Sequence, residues 1–244
     1  MRIEAFLSAA EAEDGQFANV TAVVIDVIRA TSTIVQALSA RARAVYPTLS
    51  SEEATHLASS LGREDTLLCG ERRGLMIDGF DLGNSPAEFT PDRVSGKRLV
   101  MTTTNGTRAF LAAEAADRVI VASLMNLSAV ADALLGSDRV AFVCAGKEGR
   151  FSLDDAVCAG LIIRSLTGGK DSSQMDIHLD DASQSALAMA NAFAVDAKFL
   201  AGTAAGAALV DVGLGADLEQ CAEIDCHRLV PEMHDRMIHL PEGG

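Results

Sequence analysis

Tryptophan is absent, tyrosine occurs once (Tyr46), and only 20 lysines and arginines face 34 aspartates and glutamates, a formal net charge of -14. No basic run offsets that imbalance. The chain thus lacks both the electrostatic footprint and the aromatic stacking surface by which proteins hold nucleic acid, and nucleic acid is excluded as a substrate. It also lacks any run of about 18 apolar residues, the length of a membrane span, so no membrane partner is expected. The amino end, MRIEAFLSAAEAEDGQ, turns acidic after a few apolar residues and shows neither the basic end nor the apolar stretch of a secretory signal. Cysteines number five, an odd count, and none are spaced C-x2-C as a zinc or redox site requires. A reducing cytoplasm is the expected location.

What is present suits a folded protein. Of 244 residues, 49% are hydrophobic and 22% charged, which excludes a disordered chain. A domain of this length buries roughly 70 to 75% of its unfolded surface and needs no disulfide or metal to stay folded. Short Val- and Ile-rich runs read as strands: Ile3 to Leu7, Ala22 to Ile25, Ala44 to Tyr46, Thr66 to Leu68, Leu99 to Met101, Val119 to Val121 and Val140 to Val143. Most are continuous apolar runs, as strands buried on both faces should be. Helical periodicity runs between them, with a Ser50/Glu53 capping box before a helix through Leu61, then Thr107 to Ala115, Ser128 to Leu135 and Leu153 to Leu166. The alternation predicts an α/β fold with a largely parallel or mixed sheet covered by helices. One domain over 1–244 is expected, with a subdivision near 168–182 as an option. Ser183 to Val210 reads as an Ala-rich helical tract that offers a surface for a homo-oligomer, and Arg228 to Val230 reads as an edge strand.

In open α/β sheets ligands bind where strands end and helices begin, which singles out four polar turns. VVIDVIRATST places Asp26 at a strand end, followed by Arg29 and the hydroxyls Thr31, Ser32 and Thr33 at a helix start. Free N–H groups and the positive dipole end there favour an anion, although the hydroxyls also serve simply as caps. CGERRGLMIDGFDLGNSPAEF carries Glu71, Arg72, Arg73, Asn84 and Ser85 among four glycines, and loops this long in compact domains are commonly functional. TTTNGT offers Thr103, Thr104 and Asn105 to phosphoryl oxygens, with Gly106 permitting close backbone approach. VAFVCAGKEGRFSLDDAVCAG combines Cys144, Lys147, Arg150, Asp154 and Asp155.

Together the turns supply carboxylates, hydroxyls and arginines, the inventory for gripping a phosphate through a hard divalent cation. Sixteen of the 20 basic residues are arginine, which suits bidentate oxyanion binding. Zincin, hydrolase-elbow, Walker and dinucleotide motifs do not occur. A rival reading comes from Cys144 and Arg150, whose C-x5-R spacing after an apolar strand matches cysteine phosphatases. Against it, Phe151 follows the arginine where those enzymes carry Ser or Thr, and Glu148 puts a negative charge in the cradle.

The strings IDVIRATST, GER-G with GFDLGNSP-E, TTTNGT, CAG followed by FSLDD and CAG, and the late Asp225-Cys226 with Val230-Pro231 resemble the 2-phosphosulfolactate phosphatase family from about Val23 to Pro231. The resemblance implies a three-layer α/β/α sandwich and a Mg²⁺-dependent acid phosphatase that hydrolyses 2-phosphosulfolactate to sulfolactate and phosphate, a step toward coenzyme M. The family's fourth motif usually reads Glu-Asp where this chain has Asp154-Asp155, and the shorter reach of Asp154 favours Asp155 for the metal. Asp26, Glu71 and Asp155 are the expected metal ligands, with Asp26, Arg29 and Asp155 as the catalytic group. Thr31, Ser32, Arg72, Asn84, Ser85, Thr103, Thr104, Asn105, Gly106 and Arg150 are the expected substrate contacts. A homologue that binds phosphorylated ligands without turnover is the remaining alternative.

Overall fold

The computed structural model describes residues 1–13, 16–168 and 176–241. Each of the seven Val- and Ile-rich runs from Ile3 to Val143 coincides with a strand. β1 (Arg2–Phe6) and β2 (Thr21–Ile25) precede helix α1 (Ala30–Ser39), and β3 (Ala44–Pro47) precedes α2 (Ser51–Leu61). Next come β4 (Thr66–Arg72), the short β5 (Leu75–Met76), α3 (Pro91–Val94), β6 (Arg98–Thr102) and α4 (Gly106–Ala112). They are followed by β7 (Arg118–Ala122), α5 (Leu127–Leu134), β8 (Arg139–Cys144) and α6 (Leu153–Leu166). The last part holds β9 (His178–Leu179), α7 (Asp181–Ala192), α8 (Ala197–Gly202), α9 (Ala204–Asp211), α10 (Asp217–Cys221), β10 (Glu232–His234) and β11 (Met237–His239). The capping box before α2 forms in a slightly shifted version. Ser50 Oγ accepts from the Glu53 N–H at 3.1 Å, while Glu53 Oε2 reaches back to the Leu49 N–H at 2.8 Å.

Among the described residues the strands form one mixed sheet in the order β5-β4-β6-β3-β11-β10-β7-β2-β8-β1-β9. Two parallel blocks, β4-β6-β3 and β7-β2-β8-β1-β9, are joined through the antiparallel hairpin β10-β11. Alternate residues of a strand face opposite sides, so each block feeds two cores. Val23 and Ile25 of β2 join Phe142 of β8 and Val157 and Ile162 of α6. Ala22 and Val24 instead join Ile34 of α1, Phe110 of α4 and Leu99 and Met101 of β6. A smaller cluster packs Val100 of β6 and Leu68 against Ala54 and Ala58 of α2. The result is an α/β sandwich with helices on both faces of the sheet. The middle core takes side chains from both parallel blocks, and this brings α1 and α4, with the turns that precede them, side by side.

One expectation changes, and another gains detail. Arg228 to Val230 is not a strand; the Leu229 carbonyl accepts from Asn126 Nδ2 at 3.0 Å, and the chain joins the sheet only at β10, in its middle rather than at an edge. The Ala-rich tract breaks into α7, α8 and α9, because Asp196 and Thr203 restart the helix by accepting the Phe199 and Gly206 N–H groups at 2.7 and 3.0 Å. α7 packs very closely on α6: a Cβ on Gly160 would lie 2.0 Å from the Ala186 carbonyl oxygen. The subdivision considered near 168–182 falls largely on 169–175, outside the described residues. Among the described residues no helix is long and apolar enough to cross a membrane.

Candidate active site

The turn after β2 is tied down by its own hydroxyls. Thr31 Oγ1 donates to the Asp26 carbonyl at 2.9 Å and accepts from the Asp26 N–H at 3.0 Å, while Ser32 Oγ donates to the Val27 carbonyl at 2.8 Å. Both residues are fully buried, so the anion-cradle role expected of them gives way to the capping alternative: they brace the turn from behind. The Ile28–Arg29 peptide within the turn is cis. What the braced turn presents is the Asp26 carboxylate and the Arg29 guanidinium. Burial, the neighbouring Asp154 charge and then Glu71 push the Asp26 carboxyl up to about 7, against the opposing Ala30 N–H and Arg29. Arg29 donates from Nη1 to Asp217 Oδ2 and from Nη2 to the Gly74 carbonyl, each at 2.7 Å.

The turn after β6 meets it directly. A Cβ on Gly106 would lie 2.6 Å from Ala30 Cβ and 2.8 Å from Asp26 Oδ2, so the two turns approach this closely only because residue 106 has no side chain. Gly106 thus makes room for Asp26 rather than touching a ligand. Thr103 and Thr107 exchange N–H to hydroxyl bonds at 3.2 Å, and the Thr104 N–H donates to Glu71 Oε1 at 2.6 Å. Glu71 Oε2 accepts the Gly74 N–H at 2.7 Å, which locks the β4-β5 hairpin. The third turn, after β8, carries the paired aspartates. Asp155 accepts the Val27 and Gly146 N–H groups at 2.8 and 3.0 Å, fastening this turn to the first. Asp154 accepts from Ser152 Oγ at 2.6 Å, and the Ile28 N–H also favours its ionised form. Burial raises both carboxyls, and Asp155 is raised further by the charges of Asp154 and Asp26.

These turns line a cavity of about 330 Å³. Of the expected residues, Asp26, Arg29, Glu71, Asn84, Thr103, Thr104, Asn105 and Asp155 lie on its wall. Two wall residues, Asn84 and Thr104, each carry a buried oxygen, Oδ1 and Oγ1, with no hydrogen-bond partner among the described residues. Buried polar atoms are normally satisfied, so the pair marks where a ligand or water belongs. Other expected contacts lie elsewhere. Ser85 sits behind the wall and donates to Asp217 Oδ1 at 2.6 Å. Arg72 turns away to Thr102 Oγ1 at 2.9 Å, because its side chain leaves the far face of the hairpin. Arg150 is exposed and off the wall; only its backbone takes part, pairing with Lys147. The cations that do reach the wall are Arg29, Arg73 and Lys147, and the last two have no side-chain ion pair among the described residues. Sequence reasoning also missed Asp217, whose first-turn position on a short helix reads as a dipole partner, and the wall formed by Ala205, Ala208, Leu209 and Val212 around α9.

Cys144 is fully buried in the core and off the cavity wall, and burial pushes its thiol well above the usual range. A thiolate nucleophile has no support there. Among the described residues no three His, Cys, Asp or Glu side chains gather as a metal cage. Glu71 and Asp155 spend both carboxylate oxygens on backbone N–H groups, whereas Asp26 and Asp154 each keep one oxygen without a partner among the described residues. The donor set therefore fits a hard cation held by two carboxylates and completed by ligand oxygens and water, the usual arrangement for Mg²⁺.

Fold and cavity define an α/β protein with an acidic, partly cation-lined pocket at the carboxyl ends of its strands. The family model described as 2-phosphosulpholactate phosphatase matches residues 6–236. A protein of Clostridium acetobutylicum named probable 2-phosphosulfolactate phosphatase is 38% identical over 233 residues, 95% of this chain and 97% of its own. A protein of the same name from Deinococcus radiodurans is 41% identical over 215 residues, 87% of each chain. The chain belongs to the 2-phosphosulfolactate phosphatase family.

Proposed function

We propose that this protein is a Mg²⁺-assisted phosphatase that hydrolyses 2-phosphosulfolactate, or a similarly small phosphorylated acid, to the hydroxy acid and phosphate. The observation that carries the reading is the shared cavity wall, where the buried carboxylates of Asp26 and Asp154 stand with the Arg29 guanidinium. Family membership supplies the reaction class. Mg²⁺ would be held by Asp26 and Asp154, and when bound it would polarise a phosphoryl oxygen and screen the charge of the phosphate. Arg29 offers its remaining N–H groups to the phosphoryl oxygens, a charge-assisted contact that strengthens as negative charge builds on them. The Thr104 hydroxyl and the Asn84 amide add neutral contacts. Arg73 and Lys147 are the unpaired cations for the substrate's further anionic groups, which explains how a chain of net charge -14 holds a polyanion. The apolar wall at Ala205, Ala208 and Leu209 limits water around the reacting group. The free thiols, four of them buried, suit a reducing compartment such as the cytoplasm.

The test is phosphate release from a panel of small phosphorylated acids with and without Mg²⁺. Release should be fastest with acids that carry a second anionic group. Binding of these acids with no release from any of them would make the protein a phospho-ligand binder instead.

A further inference from the structure

The geometry points to Asp217 as the positioning residue for Arg29, an inference that rests on the phosphatase reading of the cavity. Asp217 opens α10, yet its carboxylate leaves its own helix. Oδ2 accepts from Arg29 Nη1 at 2.7 Å and Oδ1 accepts from Ser85 Oγ at 2.6 Å. The ion pair is closed to solvent, with side-chain exposures of 3% and 8%. The guanidinium is thus fixed at two edges, by Asp217 and by the Gly74 carbonyl, and its orientation is set by groups remote from the reacting atoms.

That placement matters because of what else surrounds Arg29. Both Arg29 and Asp26 line the cavity, and the Arg29 charge favours the ionised Asp26 carboxylate. Asp217 holds the guanidinium in an ion pair that does not involve the Asp26 carboxylate. The same carboxylate anchors Ser85, the neighbour of Asn84, while Thr33 Oγ1 donates to the Asn84 carbonyl at 2.9 Å. Ser85 thereby helps fix the carboxylate that holds Arg29, while the Asn84 backbone is held separately through Thr33. A guanidinium recognises oxyanions through a planar fork, so loss of alignment weakens binding even when the charge remains.

The test is a double-mutant cycle with wild type, Arg29→Met, Asp217→Asn and the double variant. Each is measured by phosphate-release kinetics, calorimetric binding of inorganic phosphate and thermal melting. Arg29→Met should lower kcat/KM about 1000-fold and Asp217→Asn about 30-fold, the latter mostly through KM, in the range that displaced binding groups produce. The double variant should match Arg29→Met within about twofold in both kinetics and phosphate binding, because Asp217 acts through Arg29. Losses that multiply would overturn the inference. If Asp217→Asn does not fold, Ser85→Ala removes one anchor and keeps the charge pair: a loss of about fivefold in wild type that vanishes in Arg29→Met supports it, and equal losses in both backgrounds overturn it. A wild-type protein that releases no phosphate would refute the phosphatase reading, while the phosphate-binding cycle would still decide the role of Asp217.

Discussion

β2 and β6 are both buried parallel strands that run into a threonine-bearing turn and a helix, yet the turn after β2 brings Asp26 and Arg29 to the cavity and the turn after β6 brings no charge. They belong to different parallel blocks of the sheet. The uncharged turn is held by Thr103 with Thr107 and by Glu71, 33 residues away, on the Thr104 N–H. The charged turn needs distant partners, since a buried guanidinium is tolerable only when paired, and it finds one 188 residues away in Asp217. The same local unit thus gives a rigid neutral wall in one place and a reactive, long-range network in the other. Chemistry arises where the two meet, at Gly106 against Asp26.

The largest effect should come from removing the charge of the first turn. Asp26→Asn should cut kcat by about three orders of magnitude or more, as loss of a metal-holding carboxylate does. Its melting temperature should hold or rise, because the variant relieves a buried carboxyl pushed up to about 7 by burial and its acidic neighbours. A folded variant with near wild-type turnover would reduce Asp26 to a strand-end residue. Next, Gly106→Ala should force the two turns apart and cost about 1 to 3 kcal/mol of stability along with about 10- to 100-fold in kcat/KM. Unchanged kinetics and melting would mean that the close approach is not needed.

Thr104→Val probes the neutral turn alone. It deletes an unpartnered buried hydroxyl, so stability should stay within about 0.5 kcal/mol while KM rises about fivefold, the expected cost of one neutral ligand contact. A drop in stability with unchanged KM would place that hydroxyl in packing. Cys144→Ser should change least. Activity should stay within about twofold and stability should fall about 1 kcal/mol, since the hydroxyl enters an apolar core. A dead but folded Cys144→Ser protein would favour the thiolate mechanism over the carboxylate one.

Strands buried on both faces were legible as Val- and Ile-rich runs, and the ends of those strands led directly to Asp26, Glu71 and the threonines. The hairpin β10-β11 was not legible. Its strands have three residues each, and Asp235 and Arg236 turn the chain at positive φ of 49° and 59° where glycine or asparagine is the usual signal. Side-chain direction was equally hidden: Arg72 and Arg73 are adjacent, but only Arg73 lines the cavity. The preference for Asp155 over Asp154 rested on reach, whereas the structure shows Asp155 occupied in fastening two turns together and Asp154 with an open oxygen. Nothing near Asp217 in sequence marks its partners, because the contact exists only once α10 has packed.

Cation-assisted hydrolysis at the junction of these turns is tested by phosphate release from 2-phosphosulfolactate in Mg²⁺, after excess chelator, and after Mg²⁺ is restored. Turnover should disappear with the chelator and return with Mg²⁺. Full-rate release in the presence of the chelator would contradict it.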